Sequence, residues 1–366
     1  MTIGVLTSSR ADYGIYRPLL AKLSSDSRFS LSVIVFGMHL LEMHGHTIDE
    51  IEMDDFGTIL QVPGMPEGDT RLDIAEGYGE VIKNFSVFWS KHQFDCVLTL
   101  GDRWEMSAAV QAAIPFEVKL AHIHGGETTM GATDNIYRHQ ISLASSLHFT
   151  ATEVFTQRVS TLIGSQDSIY TVGSISLEGL SNLQLPDWTK VKKQFDIPFD
   201  EFVLVTFHPE SVQAGANDQL AQIMRTVLSE VAKKYALLVT KANADVMGTL
   251  FNRQLEDLAK ENTQSIRLLS SMGKLNYFAA MRQCKFLLGN TSSGIIEAAS
   301  FNKWVINVGD RQKGRLRSGN VIDVPFTPED IKTAVANLDI SKAYTGGNQY
   351  VSEGTTDKII ETLLCL

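Results

Sequence analysis

The sequence has little cysteine, no long apolar run and no surplus of positive charge, and each lack removes a class of protein. Its three cysteines are Cys96, Cys284 and Cys365, and none lies in a C-x-x-C pair. Cys96 and Cys284 each begin an apolar run and read as buried strand residues. This usage gives the expectation of a reducing, cytoplasmic compartment. No apolar stretch approaches the roughly 20 residues that span a bilayer. The N-terminus, MTIGVLTSSRADYG, has no basic segment ahead of a long apolar one and reads directly as a strand, so no signal peptide and no membrane partner are expected. Basic residues number 32 against 42 acidic ones, a net charge of −10, which argues against a general nucleic-acid binder. A local basic pocket for a phosphorylated small molecule stays open. No G-x-G-x-x-G follows the first strand, which disfavours a dehydrogenase.

What is present is alternation. Short runs that are apolar on both sides recur at 3–9, 31–37, 96–102, 119–126, 147–153 and 169–174, then at 202–208, 236–242, 266–271, 285–290 and 304–310. Amphipathic runs such as YRPLLAKLSS and NDQLAQIMRTVLSEVAKKY separate them. Doubly apolar runs fit the buried strands of a parallel sheet. Strand–helix alternation twice over predicts an α/β fold of two Rossmann-like, doubly wound domains facing across a cleft, the GT-B type. The boundaries expected are 1–182 for the first domain, 183–350 for the second and 351–366 for a closing helix, KIIETLLCL, that returns to the first.

Ligands of open parallel sheets sit beyond the carboxyl ends of the strands, and polar residues collect there. After the first strand come Ser8, Ser9 and Arg10. LGDRWE (100–105) places Asp102 and Arg103 past a buried strand, where the Asp either caps the next helix or orients and transfers protons. FHPES puts His208 at a strand end, which Pro209 terminates. GNTSSG (289–294) lies between a strand and a helix pattern, with small residues and hydroxyls exposing N–H groups at a helix start. That is a phosphate cradle without the Walker lysine, or a plain N-cap. Thr291, Ser292 and Gly294 belong to it, and Glu297 follows as a candidate ribose acceptor. GDRQKGRLRSGN (309–320) is the densest basic segment, and Arg311 stands nearest its strand end. Arg10 has the same logic in the first domain.

The most crowded segment is LAHIHGGETTMGATDNIYRHQISLA (120–144), with His122, His124, Glu127, Asp134, Arg138 and His139 around a glycine turn. In a strand His122 and His124 would share one face. With no Cys nearby, a metal site is disfavoured. Carboxylates and imidazoles converging on a turn suit acid–base chemistry.

Together SSRADYG, FGMHL, LGDRWE, HIHGGE, DNIYRHQI, FHPE, GNTSSGIIE and INVGDRQKGR resemble the UDP-N-acetylglucosamine 2-epimerase family, most nearly its hydrolysing branch, which makes N-acetylmannosamine for sialic-acid-type sugars. The segments span residues 8 to 315. The resemblance implies a nucleotide-sugar substrate, UDP-GlcNAc, no metal or other cofactor, and a homodimer or higher homo-oligomer. It implies that His208, Asn243, Thr291, Ser292, Glu297 and Arg311 contact the nucleotide or diphosphate, and that Arg10 and Arg103 reach the diphosphate from the first domain. It implies catalytic roles for Asp102, Glu127 and Asp134. Several members of that family carry Glu where this chain has His124, so either the imidazole serves there or Glu127 takes that role. The alternatives are the same reaction on a UDP- or GDP-linked 2,4-diacetamido-trideoxy sugar, a non-hydrolysing epimerase, a GT-B glycosyltransferase, and a nucleotide-sugar-binding regulator without catalysis.

Overall fold

The computed structural model describes residues 1–42, 47–66, 68, 70–180, 183–210, 214–242 and 248–366. The chain divides into two compact units. The first comprises Met1–Glu127, Asp134–Leu180 and Tyr350–Leu366; the second comprises Thr128–Thr133 and Ser181–Gln349.

The first unit runs β1 (Thr2–Thr7), α1 (Arg10–Ser25), β2 (Ser30–Phe36), α2 (Ile48–Asp54), β3 (Thr58–Val62), α3 (Arg71–Trp89), β4 (Cys96–Leu100), α4 (Trp104–Ala113), β5 (Leu120–Ile123), α5 (Asp134–Ala144), β6 (Leu147–Thr150), α6 (Glu153–Ile163) and β7 (Ile169–Thr171). Among the described residues these strands form one parallel sheet in the order β3-β2-β1-β4-β5-β6-β7. Period-two alternation explains why both faces are apolar. Ile3 and Val5 pack on one side with Tyr13, Leu19 and Leu20 of α1. Leu6, Ile34 and Val97 pack on the other with Phe85 and Trp89 of α3 and Met106 of α4.

The second unit runs α7 (Trp188–Phe195), β8 (Phe202–Thr206), α8 (Asn217–Val231), β9 (Ala236–Thr240), α9 (Gly248–Glu261), β10 (Ile266–Leu269), α10 (Lys274–Gln283), β11 (Leu287–Gly289), α11 (Ser292–Ile296), β12 (Val305–Val308), β13 (Val321–Val324) and α12 (Pro328–Asn337). Its parallel sheet has the order β10-β9-β8-β11-β12-β13. The chain ends in α13 (Thr355–Leu363), whose Ile359, Ile360 and Leu363 join the core of the first unit. Burying each such side chain contributes about 1.5–3 kcal/mol. Both sheets reverse their strand order once, between β1 and β4 and between β8 and β11, and both are doubly wound. No helix among the described residues is long and apolar enough to cross a membrane.

Three details differ from the reading of the sequence. β3 (TILQV) and β13 (VIDV) were not expected as strands; both are edge strands with partly exposed residues, so neither has a doubly apolar run. Cys284 is not in a strand but caps the C-terminus of α10, where it is buried. The fifth strand stops at Ile123, because His124 turns into the left-handed region at φ +65°.

Gly289 closes β11 at φ +144°, and a β-carbon there would lie 1.9 Å from the Thr206 carbonyl oxygen of β8. No side chain fits that approach, and β8 and β11 are the strands that flank the reversal point. Gly289→Ala is expected to destabilise the chain by more than about 2 kcal/mol. A thermal or urea midpoint within error of wild type would contradict this.

Candidate active site

In the first unit the carboxyl ends of β4 and β5 are tied by buried groups before any charge is placed. The Gly101 amide donates to the Ile123 carbonyl at 3.1 Å. His122 of β5 is fully buried and bonds the Gly101 carbonyl through Nε2 at 2.9 Å and Ser142 Oγ through Nδ1 at 2.9 Å. A carbonyl only accepts, so Nε2 carries the ring proton and Ser142 donates to Nδ1. Burial drives the His122 pKa down to about 3. His122 is therefore a neutral brace under Asp102, and it does not share a strand face with His124.

His124 begins the turn. Its left-handed backbone costs a non-glycine residue about 1–2 kcal/mol. The cost is held by an amide bond to Phe149 O at 2.9 Å and by a bond from Arg138 Nη1 to the His124 carbonyl at 2.8 Å. Two residues on, Gly126 (φ +78°) passes so close to α6 that a β-carbon would meet Phe155 O at 2.3 Å. The chain then delivers Glu127 back against His124, with Nδ1 to Oε1 at 2.7 Å. Glu127 is 1% exposed and His124 6% exposed, so this pair lies out of bulk water. With Glu127 ionised, Nδ1 donates to it, and Ser174 Oγ lies 3.4 Å from Nε2. Ser174 in turn bonds Ser176 Oγ at 2.9 Å.

Arg138 of α5, 1% exposed, is the hub. Its Nη2 pairs with Asp102 Oδ2, and its Nη1 lies 3.8 Å from Glu127 Oε2. One guanidinium thus stands between two carboxylates that come from two strand ends. Asp102 does not cap α4; Arg103 occupies that position, and its side chain makes no capping bond. Asp134 opens α5, one turn before Arg138.

The two arginines expected to reach a diphosphate are placed against carboxylates. Arg103 Nε pairs with the fully buried Glu105, which also accepts from Ser8 Oγ at 3.1 Å. Arg10 starts α1 and lies 3.4 Å from Glu50. Ser9 caps α1 in a reciprocal capping box with Asp12.

In the second unit Asn290 organises the strand ends. Fully buried, it accepts from the His208 amide at 2.7 Å and donates to the His208 carbonyl at 2.8 Å. Its own carbonyl accepts from Gln312 Nε2 at 2.9 Å and from Arg311 Nη1 at 3.4 Å. The structure so gathers His208, Arg311 and the start of α11 around one residue. The same two-bond clasp recurs from Asn217 to Glu210 and from Asn252 to Ala242. Glu210 accepts from the Asp310 amide at 2.8 Å; burial raises its pKa, and the backbone donors of Asp310 and Arg311 oppose the rise. Thr291 caps α11 through a 3.4 Å contact with the Ser293 amide. Ser292 opens that helix, and Gly294 is buried against Val305. Glu297 is buried at the helix C-cap. His208 lies two residues past β8 and is 6% exposed, deeper than a rim position. Asn243 lies outside the described residues.

Sequence reading assigned no role to Arg138, Asn290, Glu105 or Glu210. All four stood inside motifs already singled out. Their side-chain partners lie across strand ends, which spacing alone does not show. Among the described residues no group of three or more His, Cys, Asp or Glu is arranged to hold a metal ion.

Residues 21–364 match the family model described as UDP-N-acetylglucosamine 2-epimerase. The chain is 33% identical over 354 residues to the polysialic acid biosynthesis protein P7 of Escherichia coli, covering 95% of this chain and 90% of that one. It is 33% identical over 360 residues to the UDP-N,N'-diacetylbacillosamine 2-epimerase (hydrolyzing) of Legionella pneumophila, covering 98% and 94%. Its fold is similar to the crystal structure of UDP-GlcNAc 2-epimerase from Neisseria meningitidis bound to UDP-GlcNAc, with a TM-score of 0.81 at 18% identity over 100% of both chains.

The His122 brace has a pH signature. Its folded pKa, about 3, lies below the ordinary 6.5, and His148 is lowered in the same way to about 4. The unfolded chain therefore binds more protons between those values, and folding stability falls as the pH drops below 6.5. Nitrogen-15 NMR is expected to show His122 as the neutral Nε2–H form at pH 5. A His122 ring that titrates near 6.5 would contradict the assignment.

Proposed function

Because the chain belongs to the UDP-N-acetylglucosamine 2-epimerase family, we propose that it is a hydrolysing 2-epimerase converting UDP-GlcNAc to N-acetylmannosamine and UDP. The observation that carries this reading is the water-poor cluster of Asp102, Arg138, Glu127 and His124 at the ends of β4 and β5. The name of the Escherichia coli relative adds support, since it belongs to polysialic acid biosynthesis.

The chemistry demands such a cluster. The hydrogen on C2 of a 2-acetamido sugar has no adjoining carbonyl, so simple deprotonation is slow. In the proposed reaction a base takes the C2 proton while the C1–O bond breaks and its electron pair leaves with UDP. The product of that step is a 2-acetamidoglycal with a C1=C2 double bond. Water then bonds to C1, one of its protons passes to a base while the other stays on the new C1 hydroxyl, and C2 takes a proton from an acid on the opposite face. The sum is UDP-GlcNAc plus water giving N-acetylmannosamine plus UDP. Two faces require at least two positioned groups. Asp102, with Glu127 or Asp134, handles the C2 proton and the water, and His124 tunes Glu127. His208, Arg311, Arg10 and Arg103 stabilise the departing diphosphate. Thr291, Ser292 and Gly294 receive phosphate oxygens, Glu297 accepts from the ribose, and Asn243 contacts the nucleotide.

A second reading has its own support. The Legionella pneumophila relative is named for a diacetamido sugar, UDP-N,N'-diacetylbacillosamine. The elimination and hydration steps are identical for that substrate, and selection would fall on groups facing C4 and C6.

Proton NMR in deuterated water separates the readings. With UDP-GlcNAc, free N-acetylmannosamine bearing deuterium at C2, together with UDP, is expected. UDP-N-acetylmannosamine would instead mean a non-hydrolysing enzyme, and turnover of UDP-N,N'-diacetylbacillosamine alone would establish the second reading. Asp102→Asn, Glu127→Gln and Asp134→Asn are each expected to lower kcat by about 10²–10⁴-fold. Near wild-type turnover in all three would remove the acid–base assignment.

A further inference from the structure

We propose that Arg138 is a positioning residue that fixes the spacing and facing of Asp102 and Glu127, and through its bond to the His124 carbonyl holds the left-handed turn that presents the Glu127–His124 pair. The inference rests on the acid–base reading of those carboxylates and adds a residue to it. Three contacts converge on one buried guanidinium: Asp102 Oδ2 after β4, the His124 carbonyl at 2.8 Å after β5, and Glu127 Oε2 at 3.8 Å. The guanidinium is planar, always charged and forked, so it imposes a geometry that an ammonium cannot reproduce. Its side chain is 1% exposed, as is that of Glu127, while that of Asp102 is 21% exposed.

The neighbouring charged groups have partners of their own. Arg103 pairs with Glu105. His122 is neutral and bonded to Gly101 and Ser142. Asp134 and His139 lie on the same helix as Arg138, and burial lowers the pKa of His139. Arg158 of α6 reaches the Gly126 carbonyl at 3.4 Å and stands over the Phe155 ring. Arg138 bridges the ends of β4 and β5 by charge.

The test pairs Arg138→Met, which keeps much of the volume and removes the fork, with Arg138→Lys, which keeps the charge. Because displaced acid–base groups lose transition-state contacts and not substrate affinity, kcat of Arg138→Met is expected to fall about 100-fold with KM and UDP affinity within about threefold of wild type. Arg138→Lys is expected to recover part of that loss. The crystal structure of Arg138→Met should show the Asp102 and Glu127 carboxylates moved from their places. If Arg138→Met does not fold, the same split between kcat and KM is read on Arg138→Lys. A kcat within threefold of wild type, a loss confined to KM, or carboxylates left in place would each overturn the proposal. Wild-type inactivity on UDP-GlcNAc would instead count against the substrate reading, and the variant crystal structure would still decide the role of Arg138.

Discussion

The first unit depends on one buried positive charge between two negative ones. A guanidinium taken out of water is costly unless its partners have good geometry and further hydrogen bonds. Arg138 meets that condition through its Nη atoms, with two carboxylates and a backbone carbonyl, while its buried Nε has no hydrogen-bond partner among the described residues. In return the carboxylates lose the freedom that exposed side chains have. Asp102 and Glu127 reach the cluster from separate strands, so the register of β4 against β5 sets their spacing. The left-handed His124 is a local strain of the kind that persists only where neighbours over-determine it, and such strain collects at functional sites.

The two units solve the same problem with different side chains. The ends of strands leave backbone amides and carbonyls without sheet partners. In the first unit His122 reaches from β5 to the Gly101 carbonyl past β4. In the second, Asn290 past β11 holds both backbone groups of His208 past β8. Each is a neutral, fully buried donor–acceptor, so it can fix a loop without adding charge beside it. Asn217 and Asn252 extend the device to neighbouring loops.

How far the sequence disclosed this architecture follows from what each residue needs. Central strands such as CVLTL and FVLVT are buried on both faces, so composition alone marks them. The edge strands TILQV and VIDV face solvent in part and look like loops. Asp102, Glu127 and His208 were visible because polar residues after an apolar run stand out. Arg138 was visible as a charge and not as a hub, because its partners are 36 and 14 residues away along the chain. The turn at His124 was hidden by its neighbours: His-Ile-His alternates like a strand, and nothing local announces a positive φ without glycine. The clasps of Asn290, Asn217 and Asn252 depend on tertiary pairing and have no spacing to read.

The central claim is that the clustered acids and bases break the bond between sugar and nucleotide by elimination, and not by attack of water on phosphorus. Turnover of UDP-GlcNAc in water enriched in oxygen-18, followed by mass spectrometry of the UDP, tests it directly. Elimination cleaves C1–O, so the UDP is predicted to carry no label. One oxygen-18 in the β-phosphate would mean that water attacked phosphorus, and would contradict the account.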